Sequence, residues 1–233
     1  MPKRMWSKAR RIWRIHVRPI LIVVLVLTSF RSAVADWNDV PTGSMKPSIL
    51  EGDRIVVNKL AYGLKVPFTT WHLMHWNAPQ RGEIVVFNSP ADGLRLVKRV
   101  VGLPGDTVLM IDNRLYINGQ PMAYEPLDTG TIRELPNSEQ PAHGYARETL
   151  GQAHHPVMST PANAAAMRSF GPIKVPQGEY FVMGDNRDNS NDSRYIGTVK
   201  LNAIVGRSSY VALSLNYDNH FIPRWDRFFK ALP

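Results

Sequence analysis

Ser44 lies in the run Pro41-Thr42-Gly43-Ser44-Met45-Lys46-Pro47, with one lysine beside it and another in Val97-Lys98-Arg99-Val100-Val101-Gly102-Leu103-Pro104-Gly105-Asp106. A serine hydroxyl becomes a nucleophile only when a neighbouring base takes its proton, and a lysine amine can be that base when it is neutral. From a reference near 10.4, working at pH 7 to 8 needs a downward shift of roughly 2–3 units, which burial among apolar groups can supply. In a strand, alternation sets Lys98 on one face with Leu94, Leu96 and Val100, and Arg99 on the other with Arg95 and Val97. Lys98 is therefore expected in an apolar row. Arg99 stays protonated and cannot act as the base. Lys46, next to Pro47 in a turn-like context, is expected to be solvated and is the weaker alternative. By itself, Ser44 also suits a plain turn hydroxyl.

Histidine chemistry fits less well. His143, His154 and His155 suggest a metal at first sight, but adjacent histidines point apart in a strand and the His-Glu-x-x-His spacing of metalloproteases is missing. A Ser-His-Asp triad through His72 or His75 has no recognisable local motif. We expect no metal and no cofactor.

The elements that position these groups begin with an apolar segment. Pro19 to Phe30 is apolar almost throughout and low polarity continues through Ala33-Val34-Ala35, interrupted by Arg31, whose long stem can carry its charge to an interface. Seven cationic residues, Lys3 to Arg18, precede the run, and by the positive-inside rule they stay cytoplasmic, so the body lies on the other side. A cleavable secretory signal and a buried core helix are the rival readings. The chain carries a formal +9 over 233 residues; because those seven charges fall before the first acidic residue, Asp36, residues 19–233 hold only +2. That excludes a nucleic-acid groove as the source of the basicity. The absence of cysteine removes disulfides, thiol nucleophiles and Cys-ligated zinc.

Short strand-like runs recur after the span: Arg54–Leu60, Glu83–Phe87, Leu94–Val101, Leu115–Ile117, Ile173–Val175, Glu179–Met183 and Ala203–Gly206. Asp112-Asn113 reads as a turn and Asn118-Gly119 as a hairpin. Gly63–Pro79, rich in aromatics and proline, reads as a loop near the membrane. Tyr124–Gly171 is polar and reads as an insertion. At the end, Phe221–Phe229 mixes aromatic and basic residues, suiting either packing on the body or interfacial contact. The fold expected is mostly β. A basic cytoplasmic N-terminus (1–18) and a transmembrane anchor (19–35) lead into a catalytic β domain in two parts (36–123 and 172–233), with an inserted small subdomain (124–171) between them.

A third run, Gly184-Asp185-Asn186-Arg187-Asp188-Asn189-Ser190-Asn191-Asp192-Ser193-Arg194, completes a pattern. With the Ser44 and Lys98 runs and Arg81–Phe87, it resembles the ordered boxes of the bacterial type I signal peptidases, a membrane-bound Ser-Lys serine endopeptidase family. The resemblance makes Ser44 the nucleophile and Lys98 the general base, with the Ser44 backbone N–H and the Thr42 side chain as oxyanion hole; Thr42 replaces the serine seen in many members. Ser190 matches the hydroxyl that orients the lysine amine, and Asp192, Arg194 and Arg99 match a supporting ion-pair cluster. Asp185–Asp188 match as well, although a polar turn accounts for them. Val40, Pro41, Met45, Ile49 and Leu96 are the candidate walls of a shallow substrate pocket. The resemblance implies cleavage of exported preproteins after small residues, at the extracytoplasmic face of the inner membrane, by a monomer in contact with lipid, with no nucleic-acid partner. Ala33-Val34-Ala35 itself resembles the small-x-small pattern the family cuts. The other functions weighed are a self-cleaving repressor-type Ser-Lys protease, which would carry a DNA-binding head, and a non-enzymatic anchored envelope protein that binds peptides.

Overall fold

A computed structural model describes residues 11, 13–69, 71–127, 130, 132 and 142–233. Lys3, Arg4, Lys8 and Arg10 of the cationic flank, and most of 128–141 in the predicted insertion, lie outside the described residues.

Helix α1, Arg18–Ala33, follows a single π turn at Trp13–Val17, with Pro19 in its first turn where the missing N–H costs nothing. The 21-residue stretch Trp13–Ala33 measures about 30 Å at 1.5 Å per residue, the thickness of a bilayer core. Its side chains Ile20 to Leu27 are exposed rather than packed on the body. The predicted anchor runs to residue 35, but the helix stops at Ala33 because a lysine waits there. Lys59 Nζ donates to the Arg31 and Ser32 carbonyls at 2.8 and 3.2 Å and lies 3.4 Å from Asp36, satisfying carbonyls that the helix leaves open. Ala35 already belongs to strand β1 (Ala35–Asp39), paired with Asn58 of β2 (Asp53–Asn58).

The Gly63–Pro79 stretch, expected to be a loop, contains a hairpin of β3 (Gly63–Lys65) and β4 (His72–His75). Next come β5 (Ile84–Asn88) and β6 (Arg95–Gly102), and then a meander of β7 (Thr107–Ile111), β8 (Arg114–Ile117) and β9 (Gln120–Pro121). Positive φ at Asp112 and Asn113, and at Asn118 and Gly119, makes both meander turns two-residue hairpins. The predicted insertion is sheet-forming. Strands β10 (Ala123–Pro126), β11 (Gly144–Leu150) and β12 (Ala153–Ser159) make a three-stranded antiparallel sheet, while β13 (Phe170–Lys174) leaves it to pair with β7. The chain then runs through β14 (Glu179–Met183), a short helix α2 (Ser193–Ile196), β15 (Val199–Lys200), the long β16 (Ile204–Asn216) and β17 (Ile222–Pro223).

The main sheet has the order β1-β2-β16-β5-β6-β14-β15, with β17 on β16. Both of its faces are covered, which is why Ile84-Val85-Val86-Phe87 is buried without a break. Val85, Phe87, Val100 and Val182 pack on one face with Tyr62, Tyr180 and Ile204. Ile84 and Val86 pack on the other with Val40, Met45, Ile49 and Ile55. Beyond that cluster, Val101, Phe181 and Met183 meet Val108, Met110 and Leu115 of the meander. Each fully buried side chain of this size contributes roughly 1.5–3 kcal/mol, so these layers hold β6 firmly where its lysine is needed.

Candidate active site

Ser44 sits in a 3-10 turn, Gly43–Met45, entered through an extended Thr42 and followed by a cis Lys46–Pro47 peptide bond. Met45 is completely buried in the core and anchors the turn. The turn is also held from the third motif, since Asn186 N donates to the Ser44 carbonyl and Asn186 Nδ2 to the Gly43 carbonyl, both at 3.1 Å. Gly184 makes that approach possible. A Cβ there would stand 2.3 Å from Ser190 Oγ and 2.4 Å from the Ser44 carbonyl oxygen, closer than atoms pack.

From β6, Lys98 Nζ reaches Ser44 Oγ at 2.7 Å and the Val97 carbonyl at 3.0 Å. Lys98 is 3% exposed. Burial lowers its pKa from 10.5 to about 8, against the upward pull of Asp192 and Asp185, with Arg194 adding to the lowering. A neutral amine is therefore present in about one molecule in ten at pH 7 and in half near pH 8, bonded to a hydroxyl whose proton it can take.

Alternation along β6 sends Arg99 to the opposite face, where it is fully buried. It forks onto Asp185, Nε to Oδ1 at 2.9 Å and Nη2 to Oδ2 at 2.7 Å, while Ser48 Oγ donates to the same carboxylate. Arg99 holds Asp185 well below the usual carboxylate range, although burial alone would raise it. The expected single cluster of Arg99, Asp192 and Arg194 is instead two pairs. Arg194 forks onto Asp192 at 2.8 Å for both contacts, and Asp192 also accepts from the Gly184 N–H at 2.9 Å. Two carboxylates thus hold the strand end that carries Gly184.

Lys46 corrects an expectation. It is 6% exposed rather than solvated, because its stem folds under Gly43 and its amine meets Glu51 at 3.2 Å. The reading of Asp185–Asp188 as a plain polar turn also fails, since all four residues are buried. Arg187 forks onto Glu148 of β11, Nη1 to Oε1 at 2.7 Å, and His155 of β12 lies 3.2 Å from Glu148 and 3.8 Å from Asp185. Burial drives the His155 ring toward its neutral form. The inserted sheet is therefore wired to the third motif. Glu148, Arg187 and His155 were missed as partners because nothing local marks them; only the fold brings β11 and β12 against residues 185–187.

Other predicted residues are placed as follows. Ser190 Oγ is buried against Gly184 and makes no hydrogen bond among the described residues, so the bonds of Lys98 are to Ser44 and Val97 instead. Thr42 is exposed and its side chain does not cap the turn. Of the pocket candidates, Pro41 is exposed and Leu96 half-buried, whereas Met45 and Ile49 have no exposed surface and Val40 has 4%; those three fill the core behind the serine turn. His154 and His155 point apart as strand neighbours should, His154 to Thr149 and His155 inward.

On its far side β6 pairs with β14 only from Arg99 onward, so Arg95–Val97 present an unpaired strand edge among the described residues, next to Lys98. An extended peptide can add there through main-chain bonds.

A family model described as signal peptidase, peptidase S26, matches residues 13–213. Signal peptidase I of Pseudomonas fluorescens is 41% identical over 208 residues, covering 84% of this chain and 70% of that protein. The Pseudomonas aeruginosa signal peptidase I is 39% identical with the same coverage, and that of Rickettsia typhi 33% identical over 212 residues, covering 82% and 77%. Fold, site and similarity together define a peptidase. The chain belongs to the signal peptidase family, peptidase S26.

Proposed function

We propose that this chain removes signal peptides from exported preproteins with Ser44 as nucleophile and Lys98 as general base. The observation that carries this is the 2.7 Å contact between a buried, readily deprotonated amine and the Ser44 hydroxyl. Lys98 takes the hydroxyl proton as Ser44 attacks the scissile carbonyl, then returns it to the leaving amine; water repeats the cycle on the acyl-enzyme. The Ser44 N–H and the exposed Thr42 hydroxyl receive the oxyanion, and one such donor is worth about 3–4 kcal/mol in the transition state. Asp192, Arg194, Arg99 and Asp185 hold the surroundings of the lysine, and the buried Ser190 hydroxyl, which has no hydrogen bond among the described residues, is kept as the group that orients the amine. The substrate lies as a strand on Arg95–Val97. Pro41 and Leu96 contact its side chains, and the filled core of Val40, Met45 and Ile49 behind them keeps the pocket shallow, so small residues are accepted before the cut bond.

Helix α1 anchors the enzyme, N-terminus cytoplasmic and body extracytoplasmic. Supporting this level, Phe68 N donates to Ser32 Oγ at 2.8 Å, tying the β3–β4 hairpin to the end of α1, and Phe68, Trp71, Leu73, Met74 and Trp76 are all more than half exposed. Aromatic side chains at that height suit a membrane interface. The Ala35–Asp36 bond lies in β1, paired with Asn58 and Val57 of β2. The test is cleavage of a preprotein by the full chain in detergent. Ser44→Ala and Lys98→Ala are each expected to abolish it with the fold retained, and normal cleavage by either variant refutes the assignment.

A further inference from the structure

The C-terminal segment, which sequence patterning suggested packs on the body or touches lipid, packs on the body and bonds to the residues just after the nucleophile. Trp225 and Phe229 are 72% and 80% exposed, yet Arg227 between them is 1% exposed. It turns inward to Asp53, Nε to Oδ1 at 3.1 Å and Nη2 to Oδ2 at 2.6 Å, and Nη2 also donates to the Ser48 carbonyl at 3.1 Å. Asp53 in turn accepts from Leu50 N at 2.8 Å. Arg224 Nη1 donates to the Glu51 carbonyl at 3.0 Å. Further along, Leu232 packs against the cluster that contains Met45 and Ile49, and the Pro233 carbonyl accepts from Arg99 Nη1 at 2.6 Å.

We propose that Arg224–Pro233 is a clamp that positions the nucleophile, with Arg227 as its central positioning residue. Asn186 holds the serine turn at Gly43 and Ser44, and Arg227 holds the other end at Ser48 and, through Asp53, at Leu50. Between those two grips lie only the turn and Lys46–Pro47. A buried ion pair adds little stability beyond what apolar side chains of the same volume would give, because desolvating both charges offsets their attraction. What a guanidinium adds is direction, since its planar fork fixes two acceptors at once. A surface tail that turns one arginine inward onto a carbonyl four residues past the nucleophile is arranged for placement. The loss of an ångström at a reacting atom costs roughly a hundredfold in rate, so such placement matters to turnover.

The clamp rests on the reading of Ser44 as nucleophile, and one assay separates the two. The full chain in detergent is compared with Arg227→Met/Asp53→Asn, which removes both charges together and keeps an acceptor for Leu50 N, and with Arg227→Lys, which keeps the charge and gives up the fork. Turnover of a preprotein-derived peptide is expressed per folded molecule, counted by circular dichroism. The double variant is expected to lose at least tenfold in kcat with KM within twofold, and Arg227→Lys about threefold. A purely structural role would lower the folded fraction and leave kcat per folded molecule alone, so wild-type kcat in either variant overturns the clamp. Ser44→Ala in the same assay tells which idea failed: retained cleavage removes the nucleophile assignment, while an inactive Ser44→Ala beside fully active Arg227 variants removes the clamp only.

Discussion

A lysine whose charge is stripped of water should be a burden on the folded state, and Lys98→Met measures that burden. The amine titrates near 8 in the folded chain against 10.5 for a free lysine, a gap of 2.5 units. At about 1.4 kcal/mol per unit, the gap costs the native state about 3 kcal/mol at pH 7, where the unfolded chain holds the proton freely. Methionine fills a similar volume with no charge to desolvate. It also gives up the bond to Ser44, worth about 1 kcal/mol. The net expectation at pH 7 is a gain of ~2 kcal/mol, or about 4–8 °C in Tm for a chain of this size. The sign follows from linkage. A lysine whose folded pKa is depressed makes the wild type least favoured below about 8 and relieves it as pH rises toward 10.5, so the advantage of Lys98→Met fades across that window and reverses above it. Paired unfolding curves in one detergent at pH 7 and pH 10.5 test this. A variant no more stable than wild type at pH 7, or a gain unchanged at the higher pH, refutes the account of a desolvated amine.

The same amine sets the activity profile: kcat/KM is expected to rise with an acid limb near 8, about one molecule in ten being competent at pH 7, and a limb that keeps climbing past 10 would mean an unshifted base. Gly184→Ala must displace the Ser44 carbonyl or Ser190, so kcat should fall roughly a hundredfold while circular dichroism stays native; activity within threefold of wild type would show that the contact yields. Arg99→Met strands the fully buried Asp185, at a cost of about 3–5 kcal/mol at neutral pH. Because Arg99 is what holds the Asp185 pKa below 3.8, the deficit should shrink as pH falls toward 4 and the stranded carboxyl protonates; a pH-independent deficit in urea melts would place the loss elsewhere.

How much could be read in advance depends on how local each signal is. An apolar run, a two-residue Asn-Gly turn and the alternation that separates Lys98 from Arg99 each depend on neighbours a few positions away, and the apolar helix, the hairpin and the burial of Lys98 followed from them, although Leu94 of the expected apolar row is exposed and lies ahead of β6. The polar 124–171 segment gave no sign of its strands because β10 to β12 carry few apolar runs, and the burial of Glu148 and His155 depends on Asp185 and Arg187, just after β14. Lys46 misled for a related reason, since its turn-like surroundings suggest solvent until Gly43 and Glu51 enclose it.

Composition and order along the chain were thus enough for the mostly β class, the apolar N-terminal helix and the choice of a serine and a lysine as candidates for the site. The tertiary structure alone decided that the two meet, across 54 residues of sequence, at 2.7 Å. It also decided that Asp185 pairs with Arg99, that Asp192 pairs with Arg194, and that the tail reaches the serine segment through Arg227. A lysine loses its charge, and a buried carboxylate keeps its own, because of the atoms packed around each in space, and strand pairing between distant segments chooses those atoms.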